Sequence, residues 1–455
     1  MSKKKNIFNV FLLFLLLHVI VWTLVPALSN VNLPLDTIEA LAWSSNLQWG
    51  FLKHPPLSGF FVEVVHRLIG SQDWAYYLLS QLFIATSFFI IWIFSKDFFK
   101  NQTSRLISIL LLEGIYFYNF TSPEFNVNVC QLPFWALSVL FVWRGIKNNK
   151  ALDWLLFGFF AALGILSKYL FVYLLAVLAI FTFNIIIKNK AYIKSFLSFI
   201  PFFLILIPHL MWLVENKFIT LTYALNRTGS GDQSFIDFFL HPSIFVIKQI
   251  GILIPFLILS SFLILKSKIK FNLKDKKLIF LLFINFGPLF LMFLTSLIMG
   301  VKIRTMWMTP FYLFFGVLLI YLISESIKIS KIKNFYILFL FFFILSPTMY
   351  LYIFLTETNK RTDYPGEEIA RLVQSRWDKN FSNEISVIIG DEWFGGNLSY
   401  HLRSRPKWLN GLNRIKNEEI DGGVIYTGNS QILKKVCPGV YGTIKPIGIC
   451  MIGTR

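Results

Sequence analysis

The sequence predicts a polytopic α-helical membrane protein that ends in a small α/β domain. Three observations lead there. Hydrophobic residues fill 56% of the 455 positions and aromatic residues 18%, more apolar surface than a soluble chain of this length has use for. The apolar residues come in runs of roughly 17–23, long enough to cross a hydrocarbon core. Around TETNKRTDYPGEE (356–368) the composition turns polar and charged.

The start, MSKKKNIFNVFLLFLLLHVIVW, has the basic head and apolar core of a signal peptide. Its apolar stretch is long and lacks a small-residue cleavage site, so it reads as an uncleaved first span near 7–28. Further spans are expected near 73–95, 103–120, 127–145, 151–167, 169–188, 193–214, 243–265, 277–299, 306–324 and 333–355, about eleven in all. One long broken helix is the alternative for 151–188.

The net charge of +19 would suit nucleic acid if the cations formed one groove. They cluster instead in short gaps between apolar runs, the pattern of cytoplasmic loops, so no nucleic-acid partner is expected. No internal repeat points to an inverted-repeat transporter. Lys3, Lys4 and Lys5 set the N-terminus in the cytoplasm, and every second gap is then basic: Lys96/Lys100/Arg105, Arg144/Lys147/Lys150, Lys188/Lys190/Lys194, Lys266 through Lys277, and Lys328/Lys331/Lys333. The alternate gaps (29–72, 121–128, 167–169, 215–242 and 300–305) are long, acidic, or hold isolated cations, and belong outside. An odd number of spans places the tail outside as well.

That divides the chain into a membrane domain, 1–355, and an external domain, 356–455. In the tail, EISVIIG (384–390), GVIYTG (423–428) and IGICMIG (447–453) read as short buried strands, with helical segments at 366–378 and 395–403. Cys437 and Cys450 are the only cysteines outside the spans. In an oxidising compartment they form a disulfide or remain two buried thiols, and both readings stay open. Cys130 reads as packing inside an apolar helix. No CxxC or HExxH spacing occurs, so a structural zinc site or zincin is not expected. Carboxylates and His54 could hold a divalent cation, yet no ligand spacing demands one, and no cofactor is assigned.

The chemistry-bearing residues lie in the external gaps. In LPLDTIEALAW, Asp36 and Glu39 are three apart and share a helix face. Carboxylates among apolar residues at a membrane surface are costly without a partner or a task, and partial desolvation makes them better proton acceptors. The alternative is that Asp36 caps the helix and Glu39 supports its first turn. The double proline of Lys53-His54-Pro55-Pro56 fixes an extended backbone that holds a cation and an imidazole near these acids; a loop terminator with solvated charges is the plainer reading. The stretch ALAWSSNLQWGF between them, with Trp43 and Trp49, suits an interfacial helix lying along the membrane. Glu124 is the only charge of TSPEFN, Lys168 stands almost alone among apolar residues in GILSKYLF, and Lys302 and Arg304 flank the tenth span beside Trp307. A phosphate at the membrane surface would explain these cations beside an acidic loop. Lys302 alone reads as an interface anchor. Of the histidines, His18 and His209 read as packed within spans, and His66 and His241 have no evident role. Asp391 and Glu392, at a strand end, read as a solvated turn.

Together, the first-loop acid, the Trp-rich stretch, G-x-x-K-H-P-P-L at 50–57 and G-x-x-x-K at 164–168 resemble the family 39 glycosyltransferases and their bacterial relatives, including lipid A aminoarabinose transferases. These are polyprenyl-phosphate-sugar-dependent enzymes of the GT-C class. The resemblance covers the whole chain in organisation and concentrates in 33–81, 121–135 and 158–170. It implies inverting transfer of one sugar from an undecaprenyl-phosphate donor to a periplasmic acceptor, lipid A or lipopolysaccharide, at a bacterial inner membrane. It implies Asp36, with Glu39, as the catalytic acids. Lys168 and Arg304 would hold the donor phosphate, assisted by Lys53 and His54, and Glu124, Tyr169, Trp43 and Trp307 would line the substrate site. Protein mannosyltransferases place two acids adjacently, whereas Thr37 and Ile38 separate Asp36 from Glu39 here; that, with the Lys-His-Pro-Pro form, leans toward the lipid-decorating branch. A protein O-glycosyltransferase, a flippase for a lipid-linked sugar and a non-catalytic scaffold are the competing readings. A flippase should show polar or broken helices at mid-membrane depth, and a scaffold leaves the placement of the charges unexplained.

Overall fold

Eight helices of the described residues are long and apolar enough to cross a membrane: Asn6–Ser29, Asp73–Ser95, Val127–Asn148, Tyr169–Lys188, Lys190–Glu215, Asp237–Ile264, Lys276–Met299 and Ile332–Thr356. The segment expected at 306–324 is a ninth, bent by 47° between Thr305–Tyr312 and Phe315–Ile323. This computed structural model describes residues 2–229, 233–265, 267–323, 329–410, 422–444 and 446–455; Lys266 and Lys328, and the side chains of Lys3, Lys4, Lys5 and Lys331, lie outside that set.

The span expected at 151–167 is the 17-residue apolar helix Ala151–Ser167. One of the eleven expected spans takes another form. The stretch at 103–120 breaks into Gln102–Leu110 and two 3-10 turns, Leu111–Gly114 and Tyr116–Tyr118. The break has a packing cause: a Cβ on Gly114 would lie 2.5 Å from the Phe256 backbone, so helix Asp237–Ile264 presses directly on it. At the same break His18 Nδ1 meets Glu113 Oε1 at 2.7 Å, and the Asn119 amide donates to the Glu113 carbonyl at 2.8 Å. Both His18 and Glu113 are buried. His18→Ala would take the nearer partner from the buried Glu113 carboxyl, leaving it the Asn119 amide at 3.4 Å, and is expected to cost about 1–3 kcal/mol. A clearly lower thermal midpoint checks this; a variant as stable as wild type would show the pair contributes nothing.

The expected alternation of gaps appears as two ends of the bundle. At one end Lys147 and Trp143 bind Asp97, Lys277 donates to the Asp97 carbonyl, and Asn149 reaches the Ala191 carbonyl. Those contacts unite four of the basic gaps. At the other end lie the first loop, 119–128, Lys168 and 300–305, joined by the contacts described below.

The first loop folds into two helices, α2 (Leu35–Ser44) and α3 (Leu57–Ile69), after the first span, α1 (Ser2–Ser29). The tail forms a five-stranded sheet of order β2-β1-β3-β5-β4, with β1 Ile385–Ile389, β2 Lys407–Leu409, β3 Gly423–Gly428, β4 Val440–Ile444 and β5 Ile447–Ile452. Strand β1 runs parallel to β2 and β3, while β5 is antiparallel to β3 and β4. The three expected strands are present; β2, β4 and the short helix Ser430–Val436 were not anticipated. Of the two readings left open for the cysteines, the disulfide is the one found, Cys437 to Cys450.

The domains are latched together through the first loop. Val31 and Asn32 donate backbone N–H groups to the Thr362 carbonyl, Asn32 pairs with Asn397 at 2.8 Å, and Tyr400 donates to Asp73 at 2.8 Å. Gly396 of helix Glu392–His401 sits on Ile38 and Ala42, where even a Cβ would be 3.0 Å from each side chain. The stretch expected to form a surface helix supplies the end of α2, which is roofed by the tail domain, with Trp43 buried and Trp49 exposed.

Candidate active site

Helix α2 carries the first-loop acids, and its ends are satisfied by side chains from distant segments. Pro34 precedes it without capping, so the first-turn N–H groups need outside acceptors. Glu124 Oε1 accepts from the Asp36 N–H at 3.0 Å. Asp36 is thus no N-cap; it sits in the first turn, where the helix dipole favours its charge. At the other end Arg405, from the tail, donates to the Leu41 carbonyl at 2.6 Å and to Ser44 Oγ at 3.1 Å.

Around Asp36 the structure gathers most of the residues singled out in the sequence. Burial raises its carboxyl above the ordinary range, opposed by the charges of Lys168, Lys53 and Arg304 and by the Asn126 amide. Burial and then the charge of Asp36 push Glu124 up to about 8. The cations favour ionisation of Asp36, and none acts comparably on Glu124. The nearby charges therefore favour ionisation at Asp36 over Glu124. Lys168 binds the Asn128 side-chain oxygen and lies 5.3 Å from the centre of the Trp307 ring. Burial lowers it to about 7, with Asp36 restoring only part of the loss.

The other expected residues take different places. Lys53 is held between two carboxylates, Glu39 at 2.8 Å and Glu392 of the tail. Burial alone would depress it, yet the two acids outweigh that and keep it firmly protonated. Glu39 is raised to about 7 by burial and by Glu392, against the pull of Lys53. Its ion pair sets it apart from Asp36. His54 is pushed down to about 3 by burial and by Lys168 and Lys53, so it is neutral and supplies no positive charge; its ring stands edge-on to Trp43. Trp43 donates to Glu392 at 3.0 Å. Tyr169 pairs with His209 at 2.8 Å.

Three participants escaped the sequence reading. Glu392 comes from the tail: Gly390, at φ 145 and packed on Thr427 where no side chain fits, turns the chain sharply at the end of β1. Asp391 then caps the next helix by accepting from Trp393 and Phe394 N–H. Arg227 and Lys248 join Lys302 and Arg304 in lining a cavity of 560 Å³ whose floor includes Glu124, Asn126 and Asn128. Lys302, read as an anchor, belongs to this cationic wall. Four cations face one carboxyl there, the chemistry of an anion site. Among the described residues no three His, Cys, Asp or Glu side chains gather as a metal-binding group.

A bundle of apolar helices with two helices in its first loop and a small α/β domain over them has the GT-C fold. Residues 53–212 match the family model described as dolichyl-phosphate-mannose-protein mannosyltransferase. Two solved structures of ArnT from Cupriavidus metallidurans share the fold along the whole chain. The one bound to undecaprenyl phosphate is 10% identical, with a TM-score of 0.64 over 97% of each chain. The apo form is also 10% identical, with a TM-score of 0.65 over 99% of this chain and 98% of its own. At that identity the likeness is one of fold. No curated protein matches the chain significantly in sequence.

Proposed function

We propose that the chain transfers one sugar, with inversion, from an undecaprenyl-phosphate carrier to lipid A or lipopolysaccharide on the periplasmic face of a bacterial inner membrane. The observation that carries this reading is Asp36 under the charges of Lys168 and Arg304, with its partners Glu124 and Asn126 lining the cationic cavity beside Arg304. An acceptor hydroxyl gives its proton to Asp36 as its oxygen attacks the anomeric carbon. The bond from that carbon to the phosphate oxygen breaks, and the carrier leaves as a monophosphate. Lys168 and Arg304 stabilise the charge growing on that phosphate, the step where a preorganised site contributes most. Where the acceptor is itself a phosphate, already anionic, Asp36 positions it. Glu124 holds the first turn of α2, and the Glu39–Lys53–Glu392 cluster fixes the far side of the site.

Supplying purified protein in proteoliposomes with an undecaprenyl-phosphate sugar and lipid A tests the reading; no transfer to either lipid A or lipopolysaccharide overturns the acceptor. The description of the matched family favours a protein hydroxyl as the second reading. Mass spectrometry of lipid A, lipopolysaccharide and glycoproteins from cells lacking the gene separates the two.

Glu392→Ala would take one counter-charge from Lys53 and the acceptor from the Trp43 indole. Small displacements of a positioned group are costly, and transfer is expected to slow by about tenfold to 100-fold. Glu392→Gln keeps an acceptor for the indole and should retain more activity. Equal rates in all three proteins would remove Glu392 from the site.

A further inference from the structure

The face of α2 that starts at Asp36 runs through Glu39 to Trp43, one and two turns further on. Trp43 opens onto a second, smaller cavity of 90 Å³, where the first loop meets the end of helix Phe199–Glu215 and strand β2. Its walls include Trp43, Trp212, Trp408, Asn46, Gln48 and Asn216, and among the described residues no charged side chain lines it. That is the reverse of the cationic cavity. Among the described residues an anion would find no counter-charge here, and an apolar chain would leave the Asn46 carboxamide without a partner. Indole rings beside carboxamides match a ring that is apolar on its faces and hydroxylated at its rim, which is a neutral sugar.

The walls are fixed before any ligand arrives. Trp43 is tied to Glu392. Trp212 donates to Gln48 at 3.1 Å and lies on Gly50, where a Cβ would sit 2.3 Å from its ring. The Asn46 carboxamide, by contrast, is half-buried and has no hydrogen-bond partner among the described residues. From Asp36 to Trp43 the helix rises about 10 Å. A sugar held here is therefore not the one whose anomeric carbon reacts at Asp36.

We propose that this cavity is a subsite for a neutral pyranose of the acceptor, so that the acceptor is recognised through a sugar remote from the group that is glycosylated. The word acceptor rests on the transferase reading above; the binding of a neutral sugar does not.

The test uses the full chain in phospholipid nanodiscs, free of alkyl glycosides, whose headgroups would compete. Tryptophan emission is titrated with methyl pyranosides, with the core oligosaccharide released from lipopolysaccharide by mild acid, and with inorganic phosphate. A saturable change with the saccharides and none with phosphate is expected. Asn46→Leu should weaken it about fivefold to tenfold, the effect of one lost hydrogen bond. Trp212→Phe serves as a second variant should Asn46→Leu melt early. In the transfer assay Asn46→Leu should raise the acceptor KM by the same factor while the donor KM holds. A rise in donor KM instead would assign the cavity to the donor sugar and overturn the proposal, as would the absence of any saccharide response in the wild type. Saccharide binding without transfer would sink the transferase reading and leave the subsite standing.

Discussion

Asp36→Asn is expected to slow sugar transfer by about 10²–10⁴-fold, the usual share of a positioned proton acceptor, while the protein folds and expresses normally. The separation of those two outcomes follows from the environment. Burial raises the Asp36 carboxyl, so its ionised form is less favourable in the folded protein than in the unfolded chain. Asparagine keeps the size and removes a charge that folding had to desolvate, so stability should hold or rise slightly. The backbone N–H at position 36 still reaches Glu124, so the first turn of α2 survives. Glu124→Gln is the matching control: it retains an acceptor for that N–H and should cost far less. Transfer of a labelled sugar in proteoliposomes, with thermal melting alongside, checks both. Should the Asp36→Asn protein transfer as fast as wild type, Asp36 is not the base.

Lys168→Ala should cut donor use by about 10²–10³-fold, the scale of removing one preorganised charge from a developing anion. Lysine here also sets a pH dependence. Its ammonium is lowered to about 7 by burial, and the cation is the form that binds a phosphate diester. The free enzyme therefore loses donor kcat/KM as pH rises through about 7 and regains it below. Lys168→Arg, protonated throughout, should flatten that limb whatever it does to the absolute rate. A flat wild-type profile on both sides of that midpoint, together with unchanged donor dependence in Lys168→Ala, would take Lys168 out of the site.

What could be read from the residues alone follows a physical divide. Spans announce themselves through uninterrupted apolar runs, and the alternation of basic gaps sorted the loops into the two groups that meet at opposite ends. Asp36, Lys168 and Arg304 stood out because each is a charge that hydrocarbon or a membrane surface penalises. The break at Gly114 was hidden, since it depends on a helix arriving from residue 256. Lys53 and His54 read as phosphate ligands, and what surrounds them lies outside their local sequence. Only tertiary structure brings Glu392 to neutralise the first, and only burial silences the second. Glu392 itself resembled a solvated turn acid, and nothing within its own segment signals a lysine so distant in the chain. Nothing in their own segments marks Arg227 and Lys248, because a shared wall is a property of the bundle. In the tail, β2 has three residues and β4 carries a glycine, too short or too weakly patterned to show a strand period.

The dependence of α2 on Glu392 and Arg405 has a consequence for biosynthesis. Ribosomes add about 5–20 residues per second, so the helix bearing Asp36 is inserted many seconds before the segment that roofs it exists. A nascent chain is thus a membrane-bound scaffold with its acid in place but its lysine clamp half made. The clamp closes only when the segment carrying Glu392 and Arg405 has been made and docks on α2. Premature stop codons anywhere upstream of that stretch should yield inert membrane protein rather than a partly working one.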